Sequence, residues 1–271
     1  MIKPKVVFVD LDGTILKDYH TIQEENLKIL KELNNNGVPV CIVTGRSYNR
    51  CKHIYEELEL STPLCVFNGA YVFNPNDENY PNFVGGVEKD TLISFLNTIS
   101  NLYTSVACDL EDKMYVERFD EHDDISVILE DSVVVEGPLE KNLPTNPYSV
   151  ILQAKSMESK ARIFEIVQSF PKLQVNTWNL KKYPLILEIT YHKVNKGKAV
   201  KHICKYLGCT MKEAMCFGDS FNDRDMLIRS GWGVAMANAP LEIRIIADDV
   251  TKEKDVDGGV AKYLLEHVIK K

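Results

Sequence analysis

The sequence predicts an α/β fold in which a parallel sheet, covered by helices on both faces, is interrupted by an inserted α+β module. Three observations predict it. Short, wholly apolar runs alternate with amphipathic stretches at the start of the chain and again from residue 214 onward, as buried parallel strands joined by helices do. Between about residues 83 and 187 the strand-like runs instead arrive in pairs, the pattern of antiparallel hairpins. A chain of 271 residues with 45% hydrophobic content also suffices for one large domain or two ordinary ones with a real core.

The elements follow in order. "KVVFVD" is a β-branched first strand. "TIQEENLKILKELNNNG" reads as a helix opened by a Thr21/Glu24 capping box, with Ile22, Leu27, Leu30 and Leu33 at helical spacing, and closed by Gly37. "VPVCIVTG" is a second strand, "SYNRCKHIYEELEL" a second helix and "PLCVFNG" a third strand. In the insertion, "KDTLISFLNTISNL" and "SMESKARIFEIVQSF" read as helices, while "TSVACDL", "KMYVERF", "YSVILQAK", "LQVNTWN" and "PLILEITY" read as strands. The acidic run "FDEHDD" at 119–124 reads as a solvated loop. A helix then begins at Lys196, followed by the strand "AMCFGD", a helix from about 222, the strand "GWGVAM", a helix in "PLEIRIIA" and a last one in "GGVAKYLLEHVIKK". Residues 1–82 and 188–271 thus form one α/β domain, with 83–187 inserted into it.

Charge narrows the partners. With 39 acidic and 32 basic residues the net charge is −7, which implies no basic face for nucleic acid or an anionic membrane. A small phosphorylated ligand needs only a few local cations. No apolar run approaches the roughly 20 residues that span a bilayer, and "MIKPK" leads into a strand pattern, not a signal segment. The expectation is a cytoplasmic monomer or small homo-oligomer. The seven cysteines (41, 51, 65, 108, 204, 209 and 216) are scattered without a C-x-x-C pair, which fits reduced thiols, and the six histidines show no metal spacing.

The chemistry is concentrated at strand ends. "VVFVDLDGTIL" closes an apolar run with Asp10 and Asp12. Two such charges about 4 Å apart repel by roughly 4 kcal/mol at an effective dielectric near 20, so a cation, a proton on one carboxyl, or solvation must offset them. In open parallel sheets ligands sit beyond the carboxyl ends of strands, where Asp10, then Thr44 and Gly45, then Gly218 and Asp219 are found. "GDSFND" adds Asp223. So many carboxylates suit a hard divalent ion, and Mg²⁺ takes oxygen ligands, one or two of them carboxylates. Singly each residue has an ordinary reading: D-x-D closes turns, Thr44 caps a strand, and Lys196 is a solvated lysine at a helix start. Their convergence and order are the argument.

"DLDGTIL", "VTGR", Lys196 in "NKGKA" and "GDSFNDRDM" resemble, in order and spacing, the four motifs of the haloacid dehalogenase (HAD) superfamily. The insertion between the second and third motifs, "FNGA" and "DGGVAKYL" resemble the Cof-type phosphatase branch with a C2 cap. The resemblance implies a Rossmann-like core and a Mg²⁺-dependent phosphatase. Asp10 would be the nucleophile that forms an aspartyl-phosphate, and Asp12 the acid that protonates the leaving oxygen and then takes a proton from water. Asp12 would need its pKa raised by neighbouring carboxylates and exclusion of water. Thr44, Gly45, Lys196 and Asn222 would hold phosphoryl oxygens. Asp10, Asp219 and the backbone carbonyl of Asp12 would ligate the metal, with Asp223 supporting them.

For Arg46 two readings stay open, a substrate anion or a surface carboxylate. Asn238, after another strand, is expected to support the active-site loops. The insertion is expected to act as a cap that selects a small phosphorylated metabolite, a sugar phosphate foremost, with Tyr115, Glu117, Arg118, Trp178 and Tyr183 as candidate contacts. A sugar phosphomutase of the same superfamily and a non-enzymatic phosphometabolite sensor are the rival functions.

Overall fold

The protein is described here by a computed structural model covering residues 3–110, 113–120, 122–129, 132–177 and 182–269. It divides into two compact units, Met1–Phe83 with Asn195–Lys271, and Val84–Val194. The chain returns to the first unit at Asn195, later than residue 188, because the strand Ile186–Tyr191 pairs along its length with Leu173–Thr177 and is also hydrogen-bonded to Ser149–Ala154 in the sheet of the second unit.

The first unit is built on a five-stranded parallel sheet in the order Asp249–Val250, Trp232–Ala235, Ala214–Gly218, Val6–Val9, Val40–Ile42. The residues of Val6–Val9 are fully buried, as strands covered on both faces are. From Val6–Val9 the chain moves to Val40–Ile42 on one side, and it later places Ala214–Gly218 on the other. The strand order therefore reverses at Val6–Val9, which puts the ligand-binding crevice of a parallel sheet at the residue that follows it, Asp10. Asp249–Val250 is a strand the apolar pattern did not reveal, because two residues carry no periodicity.

The first helix runs over Glu24–Asn35 and buries Ile29, Leu30 and Leu33. Its cap is Gln23, whose side chain accepts from the Asn26 amide, and not the Thr21/Glu24 box. Ile22 forms an isolated antiparallel bridge with Leu16, so the backbone is still extended where the box would need to turn. Asn26 is fully buried; its side chain donates to the Ile15 carbonyl at 3.3 Å and accepts from the Ala261 amide at 2.9 Å. A single polar side chain thereby ties the segment after Asp12 to the last α-helix, Gly259–Leu264.

The second unit holds a six-stranded sheet in the order Leu173–Thr177, Ile186–Tyr191, Ser149–Ala154, Tyr103–Leu110, Lys113–Glu117, Val133–Glu136. Its pairings are antiparallel except the last, where Val133–Glu136 runs parallel to Lys113–Glu117. The helices Lys89–Thr98 and Met157–Ile166 belong to the same unit. The acidic run is only partly a solvated loop. Asp123 accepts hydrogen bonds from the hydroxyls of Thr104 and Ser105, which pins the run to the strand Tyr103–Leu110. Among the described residues no helix is long and apolar enough to cross a membrane.

Candidate active site

Every candidate phosphate or metal residue read from the sequence lies in the first unit. Asp10 leaves the end of Val6–Val9 with its amide donating to the Phe217 carbonyl at 3.1 Å, so its position is fixed by the neighbouring strand. Its carboxylate is buried. Lys196, on the first turn of the helix Lys196–Tyr206 behind the Asn195 cap, is fully buried and not solvated. Its ammonium lies 2.8 Å from Asp10 Oδ1 and 2.6 Å from Asp223 Oδ1.

Asp223 is the most fully bonded of the carboxylates. While Oδ1 takes Lys196, Oδ2 accepts from the backbone amides of Asp219 and Ser220, each at 2.9 Å. Ser220 and Asp223 also form a reciprocal capping box around the 3₁₀ turn Phe221–Asp223. Asp219 is bonded less completely. Its Oδ1 is buried and, among the described residues, has no hydrogen-bond partner. Carboxylate oxygens of Asp10, Asp219 and Asp223 lie within 4.8 Å of one another.

Burial pushes the Asp10 carboxyl above the ordinary carboxylate range, against the pull of Lys196 and with the help of Asp223 and Asp12. Burial, with Asp223 and Asp10 adding to it, likewise raises Asp219. Lys196 shows the converse. Burial alone would lower it, but Asp10 and Asp223 overcome that and hold it above its usual value. Three close carboxylates facing one ammonium are under-neutralised, and the orphaned Asp219 oxygen marks where a cation fits.

Glycine is required beside this cluster. Gly13 has φ +69°, and a Cβ there would stand 2.4 Å from Asp219 Oδ2. Thr44 is fully buried; its amide donates to the Cys65 carbonyl at 2.9 Å and its hydroxyl accepts from the Arg46 amide at 3.1 Å. Asn238 donates to the Gly13 carbonyl at 2.7 Å and accepts from the Asp255 amide at 3.1 Å, so it joins two loops at the sheet end. Asn222 is exposed, and its Nδ2 donates to Asn68 Oδ1 at 2.9 Å.

Asp12 differs from its expected surroundings. Its side chain is 53% exposed, and both oxygens are taken by Arg46: Nε donates to Oδ2 at 2.8 Å and Nη2 to Oδ1 at 2.5 Å. A guanidinium, not a set of carboxylates, is its direct partner. Of the two readings left open for Arg46, the carboxylate is the one found. Arg46 is itself buried, with its guanidinium 4.0 Å from the ring centroid of Tyr19. In the second unit, Glu117 accepts from the Leu139 amide at 2.7 Å, while Arg118 donates to the Ser100 carbonyl and covers the Tyr103 ring. Trp178 lies outside the described residues.

The sequence reading passed over Tyr19, and it met Asn68 only within the "FNGA" motif, with no role of its own. Nothing in the sequence marks Tyr19 as a platform for Arg46, because the contact spans 27 positions and needs the fold. Asn68 did carry a signal, the Asn-Gly pair after an apolar strand, but its link to Asn222 is a tertiary one.

Comparison with known proteins gives the family and the fold. The haloacid dehalogenase-like hydrolase family model matches residues 7–264. The chain is 32% identical over 268 residues to the 5-amino-6-(5-phospho-D-ribitylamino)uracil phosphatase YitU of Bacillus subtilis, covering 98% of each chain. Among solved structures it superposes on the phosphatase BT1666 of Bacteroides thetaiotaomicron with a TM-score of 0.82 at 22% identity, covering 98% of this chain and 95% of that one. It superposes on the subclass IIB sugar phosphatase BT4131 with a TM-score of 0.78 at 22% identity, covering 96% and 98%. With its motif residues gathered at the strand ends and its whole length matched, the chain belongs to the haloacid dehalogenase-like hydrolase family, in its Cof-type phosphatase branch.

Proposed function

We propose that this enzyme is a Mg²⁺-dependent phosphatase of small phosphate monoesters, sugar or polyol phosphates foremost, working through an aspartyl-phosphate on Asp10. The observation that carries the reading is the Asp10 carboxylate at the strand-order reversal, 2.8 Å from the buried Lys196 ammonium. Lysine there orients one oxygen of Asp10 and leaves the other to attack phosphorus.

In the first step a bond forms between an Asp10 oxygen and phosphorus as the bond to the leaving oxygen breaks, and Asp12 gives that oxygen its proton. In the second, Asp12 takes a proton from water as the water oxygen bonds to phosphorus and the Asp10 to phosphorus bond breaks, which frees the Asp10 carboxylate and releases inorganic phosphate. Thr44, Gly45, Lys196 and Asn222 hold the phosphoryl oxygens. The Arg46 fork sets the position of Asp12 for both transfers. Asp10, Asp219 and the Asp12 backbone carbonyl are suited to hold Mg²⁺, with Asp223 fixing Asp219 through its amide; the buried, unpartnered Asp219 oxygen supports this fit. When bound, the ion supplies charge neutralisation for the carboxylates and the phosphoryl group.

The substrate class is supported by YitU, whose named substrate is a phosphorylated ribityl compound, a small polyol phosphate. A turnover panel of hexose phosphates, phosphoribitylaminouracil, nucleotides and phosphoproteins tests the reading. Free inorganic phosphate from the small polyol and sugar phosphates is expected. An isomeric sugar phosphate as product would make the enzyme a mutase, and binding without turnover would make it a sensor.

A further inference from the structure

The turn Phe67–Gly69 joins the strands Leu64–Val66 and Tyr71–Phe73. Its three residues all have positive φ: Phe67 +50°, Asn68 +55° and Gly69 +102°. For a bulky aromatic this is a sterically unfavourable conformation, and such outliers persist where the surroundings over-determine them. A simple reversal between two antiparallel strands needs no phenylalanine in the left-handed region.

What the turn touches supplies a reason. The Phe67 amide donates to the Arg46 carbonyl and the Asn68 amide to the Thr44 carbonyl, each at 3.0 Å. The Asn68 side chain lies against Gly45, where a Cβ would stand 2.9 Å from its Oδ1. The same Oδ1 accepts from Asn222 Nδ2 at 2.9 Å. On the other side Gly69 packs so closely on Asn195, the cap of the Lys196 helix, that a Cβ would be 2.6 Å from its carbonyl oxygen. One strained turn thus meets all three segments that carry the candidate phosphate-binding residues.

We propose that Asn68 is a positioning residue for phosphoryl binding, holding the exposed Asn222 amide in one orientation against the Thr44–Gly45 loop. This rests on the phosphatase reading above only for the identity of the bound group. An exposed asparagine samples several rotamers, and fixing one of them before the ligand arrives removes part of the entropy that binding would otherwise lose. The second proton on Asn222 Nδ2 is then left to point at a phosphoryl oxygen. Asn68 itself need not touch the ligand.

Substitution separates this role from that of a turn former. Glycine adopts φ near +55° without strain, so Asn68→Gly keeps the turn and removes only the side chain. Equilibrium binding of inorganic phosphate, in the presence of Mg²⁺, is measured for the wild type, Asn68→Gly, Asn222→Ala and the double variant, with thermal melts to verify folding. The expected result is that Asn68→Gly melts no lower than the wild type yet binds phosphate about three- to tenfold more weakly. The double variant should bind no more weakly than Asn222→Ala alone, since Asn68 acts through Asn222. Wild-type affinity in Asn68→Gly, or losses that multiply in the double variant, would overturn the proposal and leave the phosphatase reading intact. Wild-type phosphate binding without turnover of any panel substrate would sink the phosphatase reading and leave this one standing. No phosphate binding by the wild type overturns this proposal alone, since the phosphatase reading stands or falls on the turnover panel.

Discussion

Arg46 grips Asp12 with both arms of its fork, Nε to Oδ2 at 2.8 Å and Nη2 to Oδ1 at 2.5 Å, across 34 positions of sequence. The grip is rigid at one end and open at the other, because Arg46 is buried against Tyr19 while Asp12 is half exposed. In the proposed reaction, holding Asp12 from one side would keep its distance to Asp10 constant and still let it meet the leaving oxygen. Arg46→Lys replaces the planar fork by a point charge that cannot hold two oxygens at once. We expect kcat to fall by about tenfold or more, with a smaller change in the affinity for inorganic phosphate. An unchanged kcat would show that the fork has no part in the reaction.

The nucleophile assignment makes a paired prediction. Asp10→Asn should abolish phosphate release, since an amide is no nucleophile and uncatalysed monoester hydrolysis is extremely slow, enzymes accelerating it by up to about 10²¹-fold. The same change removes one charge from a crowded, under-neutralised cluster. Its Tm without metal should therefore equal or exceed that of the wild type. Substantial turnover by a sequence-verified Asp10→Asn protein contradicts the assignment.

Lys196 should behave as a structural as well as a binding residue. Lys196→Met keeps the length of the side chain but leaves Asp10 and Asp223 buried without their cation, which costs about 3–5 kcal/mol where a buried pair is broken. Urea unfolding of the metal-free protein measures this at pH 8. The loss should shrink at pH 5, where Asp10, which burial already holds above the ordinary carboxylate range, can take up a proton in place of the lysine's charge.

Metal and pH are coupled with a definite sign. Without metal, the folded state holds the Asp10 and Asp219 protons more tightly than the unfolded chain, whose carboxylates titrate near pH 4. Between that pH and neutrality the folded state binds more protons, so stability falls as pH rises through the window. If Mg²⁺ binds as proposed, it displaces those protons and replaces them as counter-charge. The rise in Tm on adding Mg²⁺ should thus be larger at pH 8 than at pH 5, and chelation should stop turnover reversibly. Ca²⁺ should activate poorly, its shell being larger and less strict. A Tm indifferent to Mg²⁺ at pH 8 would contradict the metal site.

The sequence by itself determined the class of fold and named most of the residues that the fold gathers at the strand ends, because both are written in local chemistry. An apolar run ending in Asp10 is a buried strand delivering a carboxylate whatever surrounds it, and the "GDSFND" loop carries its capping chemistry within four residues, Ser220 to Asp223. Tertiary structure decided what those groups face. Whether Lys196 is solvated or sealed between two carboxylates, and whether Arg46 meets a ligand or Asp12, depends on which loops converge once the strand order reverses at Val6–Val9. The cap of the first helix turned out the same way, since the bridge from Ile22 to Leu16 keeps the chain extended where local propensity alone would have started the helix. Hydrogen bonds and charge pairs between residues distant in sequence carry no periodicity along the chain, so only the folded backbone could assign them.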